Sequence, residues 1–110
     1  MKIDADKVLV DFNGKPFVQT IHAGEQIVGQ DNLTVGDVCI DALVIPIRSD
    51  AEPKQGQAVA IFKLAQAFQS VPVDLSIEQI SILKHRVETA GRFSPWVVGQ
   101  VIEHLENPIL

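Results

Sequence analysis

The sequence has a single cysteine, no long hydrophobic run and fewer basic than acidic residues. One cysteine, Cys39, cannot form a disulfide bond within the chain, and its apolar neighbours Val38 and Ile40 predict a buried structural thiol. No apolar run approaches the ~20 residues that span a bilayer, so we expect no membrane contact. The first residues carry acids and lack the apolar core of a signal peptide. We therefore expect a cytoplasmic protein.

The scarcity of basic residues also bears on the choice of partner. The formal net charge is −5 at pH 7, and the excess of acid lies in residues 1–52, since residues 53–110 are balanced. An acidic chain is not drawn to phosphate backbones, so nucleic acid is not the expected partner. The acidic half could face a basic protein surface, although solubility alone explains the same charge.

The residue types that carry most enzyme chemistry occur only singly. His22, His85 and His104 lie far apart, and Cys39 has no histidine beside it. His85 and Glu88 could share a helix face, but two ligands do not make a metal site. The motifs of a nucleophile elbow, a phosphate-binding loop and an EF-hand are all missing. The sequence therefore predicts no catalytic residue, no cofactor and no metal, and we do not expect an enzyme.

The length of 110 residues and the hydrophobic content of 46% predict one folded domain. Alternating residues on either side of Asn13 and Gly14 are typical of two strands joined by a tight turn. We expect a β-hairpin over about 7–21 with a type I′ turn at that pair. The polar segment 22–32 predicts a loop.

Helix-start signals mark the rest of the chain. Ser76 with Gln79, and Thr34 with Asp37, have the spacing of capping boxes, and Pro95 suits the first position of a helix. With the helical spacing of apolar residues, these signals predict helices over about 35–46, 57–69, 77–90 and 95–106. The expected fold is α+β: an N-terminal two-stranded β-hairpin followed by about four α-helices.

Helical periodicity also assigns buried faces. The predicted buried residues are Ile61, Phe62, Ala65 and Phe68 in the second helix, Ile77, Ile80, Leu83, Lys84 and Val87 in the third, and Val98, Val101, Ile102 and Leu105 in the fourth. Arg86 falls on the predicted polar face of the third helix. Val97 lies off the predicted buried face of the fourth helix.

The chain contains more apolar residues than one core can bury. Three consecutive apolar residues begin at Trp96, another apolar run spans 44–47, and the strand near Phe17 has an edge that could pair with a second chain. The candidate interaction surface comprises Phe17, Val18, Ile45, Ile47, Trp96 and Val97. The alternative is that a small protein buries these residues on two sides. We expect a protein partner, or self-association as a homodimer.

The two helices over 76–106 also resemble a helix-turn-helix in outline, which makes a nucleic-acid-binding regulator the alternative function. In that motif the second helix presents polar and basic side chains to a groove. Here the second helix contains no lysine or arginine, and the bases Lys84, His85, Arg86 and Arg92 lie on the first helix and the turn. This arrangement favours protein contacts over nucleic-acid contacts.

Four segments, 11–16, 33–39, 73–76 and 94–100, carry a likeness to known proteins. In their order they resemble a family of small phage and prophage proteins. The resemblance implies a viral or prophage origin and a location in the cytoplasm of the bacterial host. Proteins of this family generally carry no assigned function. With the apolar residues that one core cannot cover, we expect a protein that acts by protein–protein interaction, as a minor assembly or structural factor or as a modulator of a host or phage protein. The shared motifs are caps and turns, so they transfer no catalytic residue.

Overall fold

The computed structural model describes residues 1–45, 55–70, 72–90 and 93–107, with the backbone alone at 20–23 and 27–28. Its elements are β1 (Lys2–Ile3), β2 (Val18–Ala23), β3 (Gln26–Asn32), α1 (Val35–Val44), α2 (Gln57–Ala67), β4 (Val73–Asp74), α3 (Ile77–Ala90) and α4 (Pro95–Glu106). β1 pairs with β4 and β2 pairs with β3, both antiparallel. The predicted α+β fold with N-terminal strands and four helices is confirmed.

The longest strand pairing lies where a loop was predicted. β2 and β3 pair across a tight connection in which Gly24 has a φ of 66°. The loop prediction for 22–32 is therefore wrong. Its polar residues are interleaved with the strand formers Ile27 and Val28, and Gly24 supplies the positive φ that the turn needs.

The strands predicted over 7–21 meet a third segment instead of forming a long hairpin. The Leu9 N–H donates to Leu33 O (2.9 Å), the Leu33 N–H to Phe17 O (2.7 Å), and the Phe17 N–H to Leu9 O (2.8 Å). Each of these three residues thus has both backbone groups paired within one ring of bonds. Only isolated bridges, Val8 with Thr34 and Val10 with Pro16, mark the pairing of segment 8–10.

The turn after segment 8–10 differs in type from the prediction. The Gly14 N–H donates to Asp11 O (3.0 Å) and the Asp11 N–H to Lys15 O (2.7 Å). Gly14 has a φ of 80°. Among the described residues, only glycines have a positive φ, so Asn13 does not. Type I′ requires two such residues, so the turn is a three-residue loop closed by a left-handed glycine. This loop places Phe12 at its tip.

Replacing Gly14 by valine is expected to lower the free energy of unfolding by about 1–2 kcal/mol, because a β-branched residue is strained at this φ. Chemical denaturation would measure the change. Gly29→Val is the matched control, since Gly29 pairs within β3 and a Cβ there meets nothing within 4 Å. Equal stability of the two variants would contradict the strained turn.

Both predicted capping boxes are present. The Asp37 N–H donates to Thr34 Oγ1 (3.2 Å) while the Thr34 N–H donates to Asp37 Oδ2 (3.1 Å). The Gln79 N–H donates to Ser76 Oγ (3.1 Å) and the Ser76 N–H to Gln79 Oε1 (2.9 Å). Each box pairs two backbone donors at the start of its helix, which explains why α1 and α3 begin where the sequence predicts.

The segment before Val8 covers the start of α1. The Val35 N–H donates to Lys7 O (2.9 Å) and the Gly36 N–H to Ala5 O (2.8 Å). A Cβ on Gly36 would lie 2.9 Å from Ala5 O, so glycine is what allows this approach. The first turn of α1 is therefore satisfied by backbone carbonyls as well as by its capping box.

The core lies among α1, α3 and α4. Its fully buried members include Leu9, Leu33, Val35, Val38, Cys39, Leu64, Leu75, Leu83, Val97, Val101 and Leu105. The prediction of a buried Cys39 is confirmed, and burial raises the pKa of its thiol to about 12. Such a thiol stays protonated and unreactive at neutral pH.

Three predicted faces need correction. In α4 the buried stripe is Val97, Val101 and Leu105, while Val98 and Ile102 are only half-buried. In α2 only Leu64 is buried and Phe62 is 63% exposed, because α2 packs mainly against α1 on one side. In α3 Ile77 is exposed at the first helical position, beyond the packed part of the stripe.

Arg86 is buried, contrary to its predicted place on a polar face. Its Nε–H donates to Ala42 O (2.9 Å) and its Nη2–H donates to Ile45 O (3.0 Å). Both acceptors belong to the C-terminal end of α1, where backbone carbonyls lack helical partners and the helix dipole is negative. Arg86 therefore joins α3 to the end of α1.

Candidate interaction surface

An aromatic pair marks the side of the molecule where the 11–14 turn meets the start of α4. The ring centroids of Phe12 and Trp96 are 5.4 Å apart and the rings are tilted by 56°. This arrangement is within the range favoured by aromatic quadrupoles. Phe12 is 84% exposed and Trp96 is 46% exposed, so the pair presents ring surface to solvent. We call these two residues the aromatic pair.

Hydrogen bonds to the backbone of Val10 hold Trp96 and Gln100 in place. The Trp96 Nε1–H donates to Val10 O (2.8 Å), and the Gln100 Nε2–H donates to the same oxygen (2.8 Å). In return the Val10 N–H donates to Gln100 Oε1 (2.9 Å). The Gln100 amide therefore bonds the backbone of Val10 as a neighbouring strand would, and it fixes the turn against α4.

This geometry limits what the aromatic pair can bind. The indole N–H is already used, so the exposed surface offers ring faces and edges rather than a hydrogen-bond donor. Such a surface suits an apolar side chain, or a cation placed over a ring. Because the Trp96 indole is held by its hydrogen bond before any partner arrives, little freedom of that side chain is lost on binding. Rigid, partly exposed aromatic residues are typical hot spots of protein interfaces.

The six predicted surface residues fall in different environments. Trp96 and Val18 (48%) are exposed, and Phe17 and Ile45 are half-buried. Val97 is only 1% exposed, so its assignment to the surface is wrong: it begins the buried stripe of α4. Ile47 lies outside the described residues. The structure joins Trp96 to Phe12, which was not among the six.

Phe12 and Gln100 were missed for different reasons. Alternation placed Phe12 in a strand, yet the stretch Asp-Phe-Asn-Gly is also a turn sequence, and an aromatic residue inside a turn has nothing to cover it. That signal could have identified Phe12. Gln100 offers no local signal, because its partner Val10 lies 90 residues away in the chain.

The titratable groups do not form a reactive cluster in the part of the chain that the structure describes. No group of three or more His, Cys, Asp or Glu residues there could hold a metal ion. Burial lowers the pKa of His104, and the charge of Lys7 adds to the effect. The neutral imidazole is therefore favoured at neutral pH, which fits packing against the N-terminal segment.

Two basic residues of the α3–α4 pair, Arg86 and Lys84, make contacts within the fold. Arg86 is buried against α1, and Lys84 Nζ forms an ion pair with Glu106 Oε1 (2.9 Å). Arg92 lies outside the described residues. Charge reversal at Arg86 would therefore disturb the fold, and it is not a clean test of nucleic-acid binding.

Comparison with known proteins identifies no relative of this chain. No protein-family model, curated protein or solved structure matches the chain. In the described ranges, no helix is both long and apolar enough to cross a membrane. The local geometry of the aromatic pair is thus the basis for assigning a function.

Proposed function

We propose that this protein acts by binding another protein through the aromatic pair of Phe12 and Trp96. The observation that carries the proposal is an exposed aromatic contact in which the Trp96 indole donates to Val10 O, an oxygen that also accepts from the Gln100 amide. A side chain 84% exposed, as Phe12 is, contributes little to the folded core. The exposure of Phe12 beside Trp96 is explained if a partner covers both rings.

The proposed role is a binding role without catalysis. We propose a minor assembly or structural factor, or a modulator of a host or phage protein, in the cytoplasm of a bacterial host. The resemblance to small phage and prophage proteins supports the proposed origin alone. The alternative of a nucleic-acid-binding regulator has less support, because Arg86 is buried and Lys84 is paired with Glu106. The net charge of −5 also opposes contact with phosphates.

Phe12→Ala should remove the partner without unfolding the protein. Truncating a hot-spot aromatic residue costs about 2 kcal/mol of binding or more, which is roughly a 30-fold loss of affinity. The tagged protein would be used to capture partners from cells that express it, with quantitative mass spectrometry of wild type and variants. We expect one partner to be strongly depleted with Phe12→Ala.

The matched control is Phe62→Ala, since Phe62 is also an exposed phenylalanine (63%) but lies on α2. It should capture the same partner at the wild-type level. If Phe12→Ala and Phe62→Ala retain every partner equally, the aromatic pair is not the binding site. A salt-sensitive mobility shift with nucleic acid would favour the alternative function instead.

A further inference from the structure

The β2–β3 pair forms an arm whose described hydrogen bonds to the body lie near its base. One described side chain links the arm to the helices: the Gln19 Nε2–H donates to Asp37 Oδ2 (3.1 Å) at the start of α1. The backbone ring at Phe17 and Leu33 lies just before it. Beyond these links, the two strands pack on each other and neither packs extensively on a helix. At roughly 3.3 Å per residue, the six residues of β2 extend about 20 Å.

A two-stranded ribbon of this kind is marginally stable in water, and three or more strands are needed for independent stability. Both outer edges of the arm present backbone groups. Within the described ranges, no backbone hydrogen bond joins residues 20–31 to another part of the chain. An extended strand is the structure that pairs with such an edge.

The two edges differ in charge. β2 contains no charged residue and no proline, whereas β3 carries Asp31 and follows Glu25. Charges and proline are the usual features that prevent strand edges from pairing. A bulge between Ile21 and His22 interrupts β2 toward its tip, which leaves Val18 to Ile21 as a regular edge.

We infer that a second copy of this chain pairs with the β2 edge, so that two arms form a four-stranded antiparallel sheet with the order β3–β2–β2–β3. A two-fold axis between the β2 strands closes the assembly. An uncharged strand can face its own copy without repulsion, whereas a basic partner would favour the acidic β3 edge. This surface is separate from the aromatic pair.

The register identifies which amides would pair across the dimer. The Leu33 N–H donates to Phe17 O one step before the pair Val18–Asn32. Hydrogen-bonded and non-hydrogen-bonded pairs alternate in an antiparallel ladder. The backbone groups of Val18 and Thr20 therefore point outward from β2, and those of Asn32 and Gln30 point outward from β3.

Proline at position 20 tests the edge. Thr20→Pro removes one outward donor, twice by symmetry, and should raise the dimer dissociation constant at least tenfold. Gln30→Pro is the matched control, because Gln30 faces Thr20 and loses an outward donor on the other edge. Sedimentation over a concentration series should give about 24 kDa for wild type and Gln30→Pro, twice the 12.0 kDa of one chain, and the monomer mass for Thr20→Pro.

Circular dichroism would show that each variant folds. If both proline variants dissociate, a second pair of variants, Val18→Lys and its cross-strand counterpart Asn32→Lys, distinguishes pairing at β2 from pairing at β3. Loss of the dimer with Val18→Lys alone supports pairing at β2, and any other result rejects it. A monomeric wild type at high micromolar concentration, or a Thr20→Pro variant that dimerises like wild type, would also overturn the inference.

Discussion

Replacing Arg86 by methionine is expected to lower the free energy of unfolding by about 3 kcal/mol. The buried guanidinium donates to Ala42 O and Ile45 O at the end of α1, and hydrogen bonds from a charged group contribute about 1.5–3 kcal/mol each. Methionine fills part of the volume but leaves these carbonyls without their donors. Urea unfolding followed by circular dichroism should show a lower midpoint with an unchanged slope.

Lys84→Met is the matched control for Arg86→Met. Lys84 lies two residues away on the same helix, but its ion pair with Glu106 is partly exposed. Such pairs contribute about 0–1 kcal/mol, so this variant should remain close to wild type. Arg86→Lys should fall between the two, because one ammonium cannot reproduce the planar fork of donors. Equal midpoints for Arg86→Met and Lys84→Met would show that the buried contact does not stabilise the fold.

Val97→Lys is expected to unfold the protein or to lower the free energy of unfolding by more than about 4 kcal/mol. Val97 is 1% exposed in the buried stripe of α4, so a lysine there places an unpaired charge in the core. Sequence periodicity alone predicts a surface position and hence a tolerated change. Thermal unfolding therefore distinguishes the two assignments directly.

Gly99→Lys makes the corresponding change on the exposed side of α4. A Cβ at Gly99 meets nothing within 4 Å, and lysine has a better helix propensity than glycine. This variant should be as stable as wild type or slightly more stable. A cooperative transition for Val97→Lys at the wild-type temperature would mean that α4 packs through a different face.

Local signals explain which parts of the fold could be predicted. Each capping box spans four residues, so Thr34 with Asp37 and Ser76 with Gln79 identified the helix starts correctly. Cys39 was placed in the core because its neighbours are apolar. Gly14 was correctly expected to have a positive φ. The turn is not type I′, because that type needs a positive φ at the preceding residue as well.

Most of the wrong predictions concern residues whose burial is determined by contacts with distant parts of the chain. Arg86 was counted as polar because no helical pattern shows that the end of α1, 44 residues earlier, supplies acceptors for it. Val97 and Val98 differ by about 100° around α4, and only the neighbouring helices determine which one is buried. Phe12 is an exception, because its turn is closed by local bonds between Asp11 and Gly14 and between Asp11 and Lys15, and the alternation of apolar residues outweighed the local turn sequence.

A protein partner that covers the aromatic pair should change the surroundings of Trp96, which is the only tryptophan in the chain. The measurement is the emission of Trp96 and its quenching by acrylamide as the captured partner is added, ideally a partner version without tryptophan. We expect a blue shift and reduced quenching at saturation, both weakened by Phe12→Ala but not by Phe62→Ala. Saturated binding with unchanged Trp96 emission and quenching would show that the partner does not cover the aromatic pair.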